Sequence, residues 1–179
     1  MQATALLKQD HEVIRKVLGA LRAYVERREV PVAALREAIT FSQVFVDRCH
    51  HGKEELCLFP CLEKRGIPRE HGPIGVMLME HEMGRGLVRG IGEALDRYEA
   101  GKASPKEVLA RVEEYVGLLE GHIQKENEIL FAMGDHVMEE ADDAATLSCY
   151  ESKEAERLEP GTQARMEALA ERLARLGAP

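Results

Sequence analysis

The chain has 179 residues, of which 45% are hydrophobic and 31% are charged, so it can build a core without disulfides. Its 32 acidic and 24 basic side chains leave a net charge of −8, which argues against nucleic acid as a partner. Aromatic residues make up only 4%, which is typical of helices, and no stretch approaches the roughly 18 to 20 apolar residues of a membrane span. We therefore expect an all-α, cytoplasmic protein with no membrane partner.

Four long amphipathic helices are predicted first, because apolar residues recur at steps of three and four. They run from Ala3 to about Arg28, from Pro31 to about Leu58, from about Ile74 to Tyr98 and from Pro105 to about Gly134. Pro60 is expected to end or kink the second helix, and Ser104 is the natural N-cap of the fourth. Short connectors predict an antiparallel up-down-up-down four-helix bundle over residues 1–135.

Residues 136–179 are predicted to form an appendix that packs on this bundle. Its first part, to about residue 160, is acidic and poorly periodic, and a final helix follows Pro160-Gly161. The four cysteines (Cys49, Cys57, Cys61 and Cys149) do not form a secreted disulfide framework, and we expect reduced thiols.

Four histidines lie on the apolar faces of the four predicted helices. His50 and His122 are each followed four residues later by a glutamate, Glu54 and Glu126. Four residues on a helix separate two side chains by one turn on the same face, so each pair can hold a metal ion with an imidazole and a carboxylate. His11 and His81 each begin a His-Glu dipeptide among apolar neighbours and are expected to point inward.

These histidines form an internal repeat. His11 and His50 are 39 residues apart and His81 and His122 are 41 apart, as expected for two helical hairpins of the same layout. The sequences after His50 and His122 also correspond, because a Leu-Phe pair begins eight residues after each histidine, at Leu58 and at Leu130. The correspondence predicts that His50 points inward, whereas His51, with charged helical neighbours, points outward. His71 and His136 are expected to face solvent.

A single histidine on an apolar face is more often a hydrogen-bonded core residue than a metal ligand. Burying four imidazoles and two carboxylates together without a metal would leave a large desolvation cost, so the whole set favours a metal site. A ferritin-like di-iron site uses Glu-x-x-His, and this order occurs nowhere in the chain. A single zinc ion needs only three or four ligands and leaves half of the repeat unexplained.

The ordered motifs His11-Glu12, His50-His51-Gly52-Lys53-Glu54, His81-Glu82 and His122-x-x-x-Glu126 resemble those of the hemerythrin-like (HHE cation-binding) family over about residues 1 to 135. The resemblance implies a non-haem di-iron centre inside the bundle. It further implies that the two irons are bound by these residues: His11, His50, His81 and His122 as terminal ligands and Glu54 and Glu126 as bridges.

Oxygen-carrying hemerythrins have a further histidine one turn from the first on the third helix. The positions one turn from His81 are Met77 and Arg85, so we expect an incomplete histidine set. An open coordination position, or a substitute from Glu12, Glu55, Glu82 or the acidic segment, would then favour oxidation over reversible oxygen binding.

The leading hypothesis is a di-iron protein that binds O2, NO or peroxide for sensing or detoxification. Three alternatives stay open: a reversible oxygen carrier, an iron donor or storage protein for iron-sulfur cluster repair, and a peroxide or nitric oxide reductase. The reductase would need a separate electron-donor protein, since no flavin or nicotinamide motif is present.

Overall fold

The computed structural model describes residues 1–178, which are helical with no strand. The α-helices are α1 (Gln2–Arg27), α2 (Val32–Phe41), α3 (Phe59–Lys64), α4 (Pro73–Glu99), α5 (Pro105–Lys125), α6 (Phe131–Val137), α7 (Glu140–Arg157) and α8 (Thr162–Gly177). Three π-helical segments interrupt them, π1 (Ser42–His51), π2 (Glu54–Leu58) and π3 (Glu126–Leu130). The all-α prediction is confirmed.

Four helical rods pack in a ring around one core: α1, a second rod from α2 to α3 (residues 32–64), α4, and a fourth rod from α5 to α6 (residues 105–137). α1 packs against α5, α5 against α4, α4 against α2 and π1, and these pack back against α1. The core has two apolar clusters, a larger one around α1, α2, α4 and α5 and a smaller one around π2, α3, π3 and α6. The alternating direction of the four rods stays a prediction from the short connectors.

The second rod continues through Pro60 to the end of α3, so the proline does not end this helix. Pro60 lies in the first turn of the α-helical segment that resumes directly after π2. The start of the fourth rod follows the prediction, because Ser104 and Glu107 form a reciprocal capping box.

The C-terminal segment is more ordered than its sequence indicated. The stretch expected to be poorly periodic contains α7, and its N-terminus is capped by Glu139 together with Asp142. α8 packs along α1 and α2, and a Cβ added at Gly177 would lie only 2.5 Å from Ala20 Cα. The absence of a side chain at Gly177 therefore permits this close approach.

The prediction of four reduced thiols is wrong for two of them. Cys57 in π2 and Cys149 in α7 form a disulfide across 92 residues of sequence, while Cys49 and Cys61 are free. The bond fastens α7 to the second rod next to Glu54.

No helix in the described residues is long and apolar enough to cross a membrane.

Candidate metal centre

The six predicted ligands lie together in the interior of the bundle. Each is at most 1% exposed, which places four imidazoles and two carboxylates out of contact with solvent. They come from four different rods: His11 from α1, His50 and Glu54 from the second rod, His81 from α4, and His122 and Glu126 from the fourth rod. The structure thus brings all six together, and their role as metal ligands stays a prediction.

The donor atoms form two groups that share one carboxylate. The first group contains His11, His50, Glu54 and Glu126, and the second contains His51, Glu54, His81 and His122. Within each group the candidate ligand atoms all lie within 4.8 Å of one another. Glu54 belongs to both groups, which is the arrangement required of a carboxylate that bridges two metal ions.

The two oxygens of Glu54 face different groups. Oε1 lies 3.6 Å from His50 Nε2, and Oε2 lies 3.4 Å from His81 Nε2. Adjacent ligands on one metal ion, with bonds near 2.1 Å, are about 3.0 Å apart at right angles and about 3.4 Å apart in a tetrahedron. The distances from Glu54 to the two imidazoles are therefore close to those of neighbouring ligands.

Glu126 also reaches histidines of both groups. Its Oε2 lies 3.2 Å from His11 Nε2 and 3.3 Å from His122 Nε2, and its Oε1 lies 3.9 Å from His81 Nε2. Since a single carboxylate approaches both halves of the site, Glu126 is a second candidate for a bridge between two ions.

The imidazoles are oriented from outside by a ring of oxygen acceptors. His11 Nδ1 lies 2.9 Å from the Asn127 side-chain oxygen, and His81 Nδ1 lies 2.7 Å from a Glu55 oxygen. Each outer partner fixes the ring so that Nε2 points to the centre, as is usual for metal-binding histidines.

The other rings have carboxylates in the same position. His122 Nδ1 is 3.0 Å from Glu80, and His50 Nδ1 is 3.4 Å from Asp10, which also accepts a hydrogen bond from Lys53. Sequence reasoning missed these outer acceptors, which come from neighbouring rods and from positions with no motif.

The electrostatics of the centre keep His50 and His51 neutral, whereas at His11 the effect of burial is outweighed by Glu126, which raises the pKa of that ring. Burial and the neighbouring His11 lower the pKa of His50 to about 4, and burial and the neighbouring His81 lower the pKa of His51 well below its ordinary value. A neutral imidazole is the form that binds a metal ion.

The two carboxylates differ in their protonation. Burial and the adjacent Glu126 raise the pKa of Glu54 well above its ordinary value. Burial acts in the same direction on Glu126, but His122 and His11 outweigh it and hold the pKa of Glu126 at about 2. A pair of metal ions would supply the positive charge that lets both carboxylates ionise.

The prediction that His51 points outward is wrong. His51 is 4% exposed, and its ring stacks on that of His81 with 3.7 Å between centroids. His50 and His51 both reach the interior because they end π1, where a wider turn reduces the angle between consecutive side chains. Helical periodicity assumes an α-helix and assigns only one of two adjacent residues to the core.

His51 is a candidate for the fifth imidazole that the sequence was expected to lack. The fifth imidazole comes from the second rod, next to His50, and not from the third, where Met77 and Arg85 stand. Of the proposed substitutes, Glu12 and Glu82 are exposed, and Glu55 contacts the outer nitrogen of His81. The only sequence signal for this fifth imidazole was that His50 and His51 are adjacent.

Several central atoms lack hydrogen-bond partners. Within residues 1–178, the unpartnered buried atoms include both carboxylate oxygens of Glu54 and Glu126 and Nε2 of His51, His81 and His122. Unpartnered buried polar atoms are costly, and here they converge on the centre of the two groups. Imidazole and carboxylate donors without a thiolate suit iron or manganese, so the residues fit a pair of such ions.

Comparison with known families agrees with this geometry. Residues 2–134 match the family model described as the hemerythrin HHE cation-binding domain. The chain belongs to the hemerythrin HHE cation-binding family. Its matched region contains every residue of the two donor groups and ends before α7. No curated protein and no solved structure matches the chain.

Two histidines lie outside the hemerythrin centre. His71, before α4, and His136, in α6, are both exposed, as the sequence predicted. They provide control positions for experiments on the buried set.

Proposed function

We propose that this hemerythrin-like protein holds two non-haem iron ions and binds O2, NO or peroxide at them, for sensing or detoxification. The observation that carries the proposal is the position of Glu54, whose two oxygens face two separate groups of donors. A shared carboxylate is expected for a metal pair and has no use at a single ion. The metal-binding bundle comprises residues 1–135, and residues 136–179 form its appendix.

A bound iron pair would supply one- or two-electron redox chemistry and open coordination positions for a small ligand. The side chains around the two ions determine their environment. Outer acceptors orient the rings of His11, His50, His81 and His122, and His51 adds a fifth buried imidazole. The apolar clusters on either side exclude water. Glu54 and Glu126 supply negative charge between the two groups.

Reversible oxygen carriage is the second candidate, and His51 favours it. A fifth imidazole leaves fewer open coordination positions than the four-histidine set expected from the sequence, and saturated nitrogen ligation slows oxidation of the ferrous form. Iron donation to other proteins is less favoured, because the donor groups are fully buried and the disulfide fastens α7 beside them.

The deciding experiment loads the protein with ferrous iron without oxygen and measures iron content and optical spectrum on one sample. We expect about two irons per chain and a new charge-transfer absorption after addition of O2, NO or hydrogen peroxide. An oxygen complex stable for many minutes would support carriage, whereas rapid oxidation supports sensing. Sustained peroxide or NO consumption with an added electron-donor protein would indicate a reductase. One tightly bound zinc ion and no iron would refute the proposal.

A further inference from the structure

A cavity of about 320 Å³ lies between π1, α4 and α5 and reaches the metal centre at His51. His51 is buried, forms part of its wall, and has no hydrogen-bond partner on either ring nitrogen within the described residues. Cavities of about 300 to 1,000 Å³ are typical of small-molecule sites, whereas a diatomic ligand needs far less space. The cavity is therefore larger than the ligands of the proposed function require.

The charge of the cavity is opposite to that of the protein. Its lining contains three arginines, Arg48, Arg85 and Arg89, and one carboxylate, Asp47, in a chain with a net charge of −8. Arg85 is held by Asp47 at 2.7 Å and by Glu55 at 2.6 Å, so it is already neutralised.

Two guanidinium groups at the cavity are left for a ligand. Arg48 and Arg89 are exposed, and neither forms an ion pair with any carboxylate in the part of the chain that the structure describes. Guanidinium groups bind carboxylates and other oxyanions through paired N–H donors. These two groups suit the cavity to the anionic part of a ligand.

The inner part of the cavity is apolar. Val46 and Val88 are buried there, with Leu119 beside them. The nearby Tyr115 hydroxyl donates a hydrogen bond to Ser42 Oγ, which in turn donates to the Ala38 carbonyl, so these groups are already paired. An inorganic oxyanion would leave the apolar wall uncovered, whereas a short hydrocarbon chain would cover it.

We propose that this cavity binds a small organic carboxylate next to the His51 side of the metal centre. The carboxylate group pairs with Arg48 and Arg89, and the short apolar body lies against Val46 and Val88. The proposal goes beyond the binding of a diatomic ligand or peroxide, and it does not require the metal ions to be present.

Isothermal titration calorimetry with butyrate tests the proposal, on the full chain both as isolated and loaded with iron. Butyramide, its neutral counterpart, is the matched control for charge, and inorganic phosphate is the control for a general anion site. We expect saturable butyrate binding in the millimolar range and at least about tenfold weaker binding of butyramide and phosphate. In an NMR titration of the metal-free protein, butyrate should shift the ring signals of His51 more than those of His11.

The double variant Arg48→Gln/Arg89→Gln should weaken butyrate binding by about tenfold or more, and Arg175→Gln on α8 should leave it unchanged. The replaced side chains are exposed, so the double variant is expected to fold. Equal binding of butyrate and butyramide, equal binding of phosphate, unaltered affinity in the double variant or no saturable binding would each overturn the proposal. None of these outcomes bears on metal content, which is measured separately, so a failure here is distinguishable from a failure of the iron assignment.

Discussion

Replacing His51 by leucine should have opposite effects on the metal-bound and metal-free protein. In the metal-bound protein the variant lacks one of the four donors of the second group, so bound metal should fall from about two ions per chain to about one. The first group does not include His51 and should keep its ion.

In the metal-free protein the same substitution should raise the free energy of unfolding. His51 buries two ring nitrogens without hydrogen-bond partners, and each such atom costs about 1–3 kcal/mol. Loss of the ring stack with His81 offsets about 0.5–1.5 kcal/mol of the gain. Leucine fills most of the space, so we expect a net stabilisation of about 2 kcal/mol, or about 4–8 °C in Tm for a chain of this size.

Metal analysis and thermal unfolding of both forms measure the two effects. His136→Leu, at an exposed histidine, is the control and should change neither metal content nor metal-free stability. A His51→Leu variant that keeps two ions and melts below the wild-type protein without metal would refute the assignment of His51 to the metal centre.

Four further predictions concern the carboxylates, the disulfide and pH. Glu54→Gln and Glu126→Gln should each lose both ions by metal analysis, because each side chain approaches both donor groups; retention of a full pair would contradict bridging. Asp10→Asn, which alters the acceptor beside His50, should weaken metal binding by about 10–100-fold in chelator competition, and unchanged affinity would exclude an orienting role. Cys149→Ser should lower the free energy of unfolding by up to about 4–5 kcal/mol in urea titrations, because the disulfide closes a loop across 92 residues; reductant should then affect only the wild-type protein. In the metal-free protein the contribution of His50 to stability should fall by about 2.5 kcal/mol as pH falls from about 6.5 to about 4, because unfolded His50 binds a proton in this range while the folded residue, with its pKa lowered to about 4, largely does not. His51 acts in the same direction, whereas Glu54 and His11, whose pKa values are raised, act in the opposite direction, so urea unfolding of the wild-type protein and of His50→Leu is compared at both pH values; a difference between the two proteins that does not change with pH would contradict the prediction.

The sequence by itself determined the helical rods and which faces they bury. Apolar periodicity and the Ser104 cap are local signals, and the structure follows both. The repeat of His-x-x-x-Glu was also visible without coordinates, because residues four apart must share a helical face. The six predicted side chains accordingly lie together in the core.

Only the tertiary structure decided the remaining features of the site. The inward position of His51 depends on a π-helical turn, which has no simple periodic signature and must be held in place by packing from other rods. The pairing of Cys57 with Cys149 depends on where α7 lies, and linear spacing says nothing about the distance between residues on different elements. The outer acceptors Glu80 and Glu55 are ordinary helical glutamates until neighbouring rods bring a histidine against them, because contacts between rods depend on how helices pack in three dimensions.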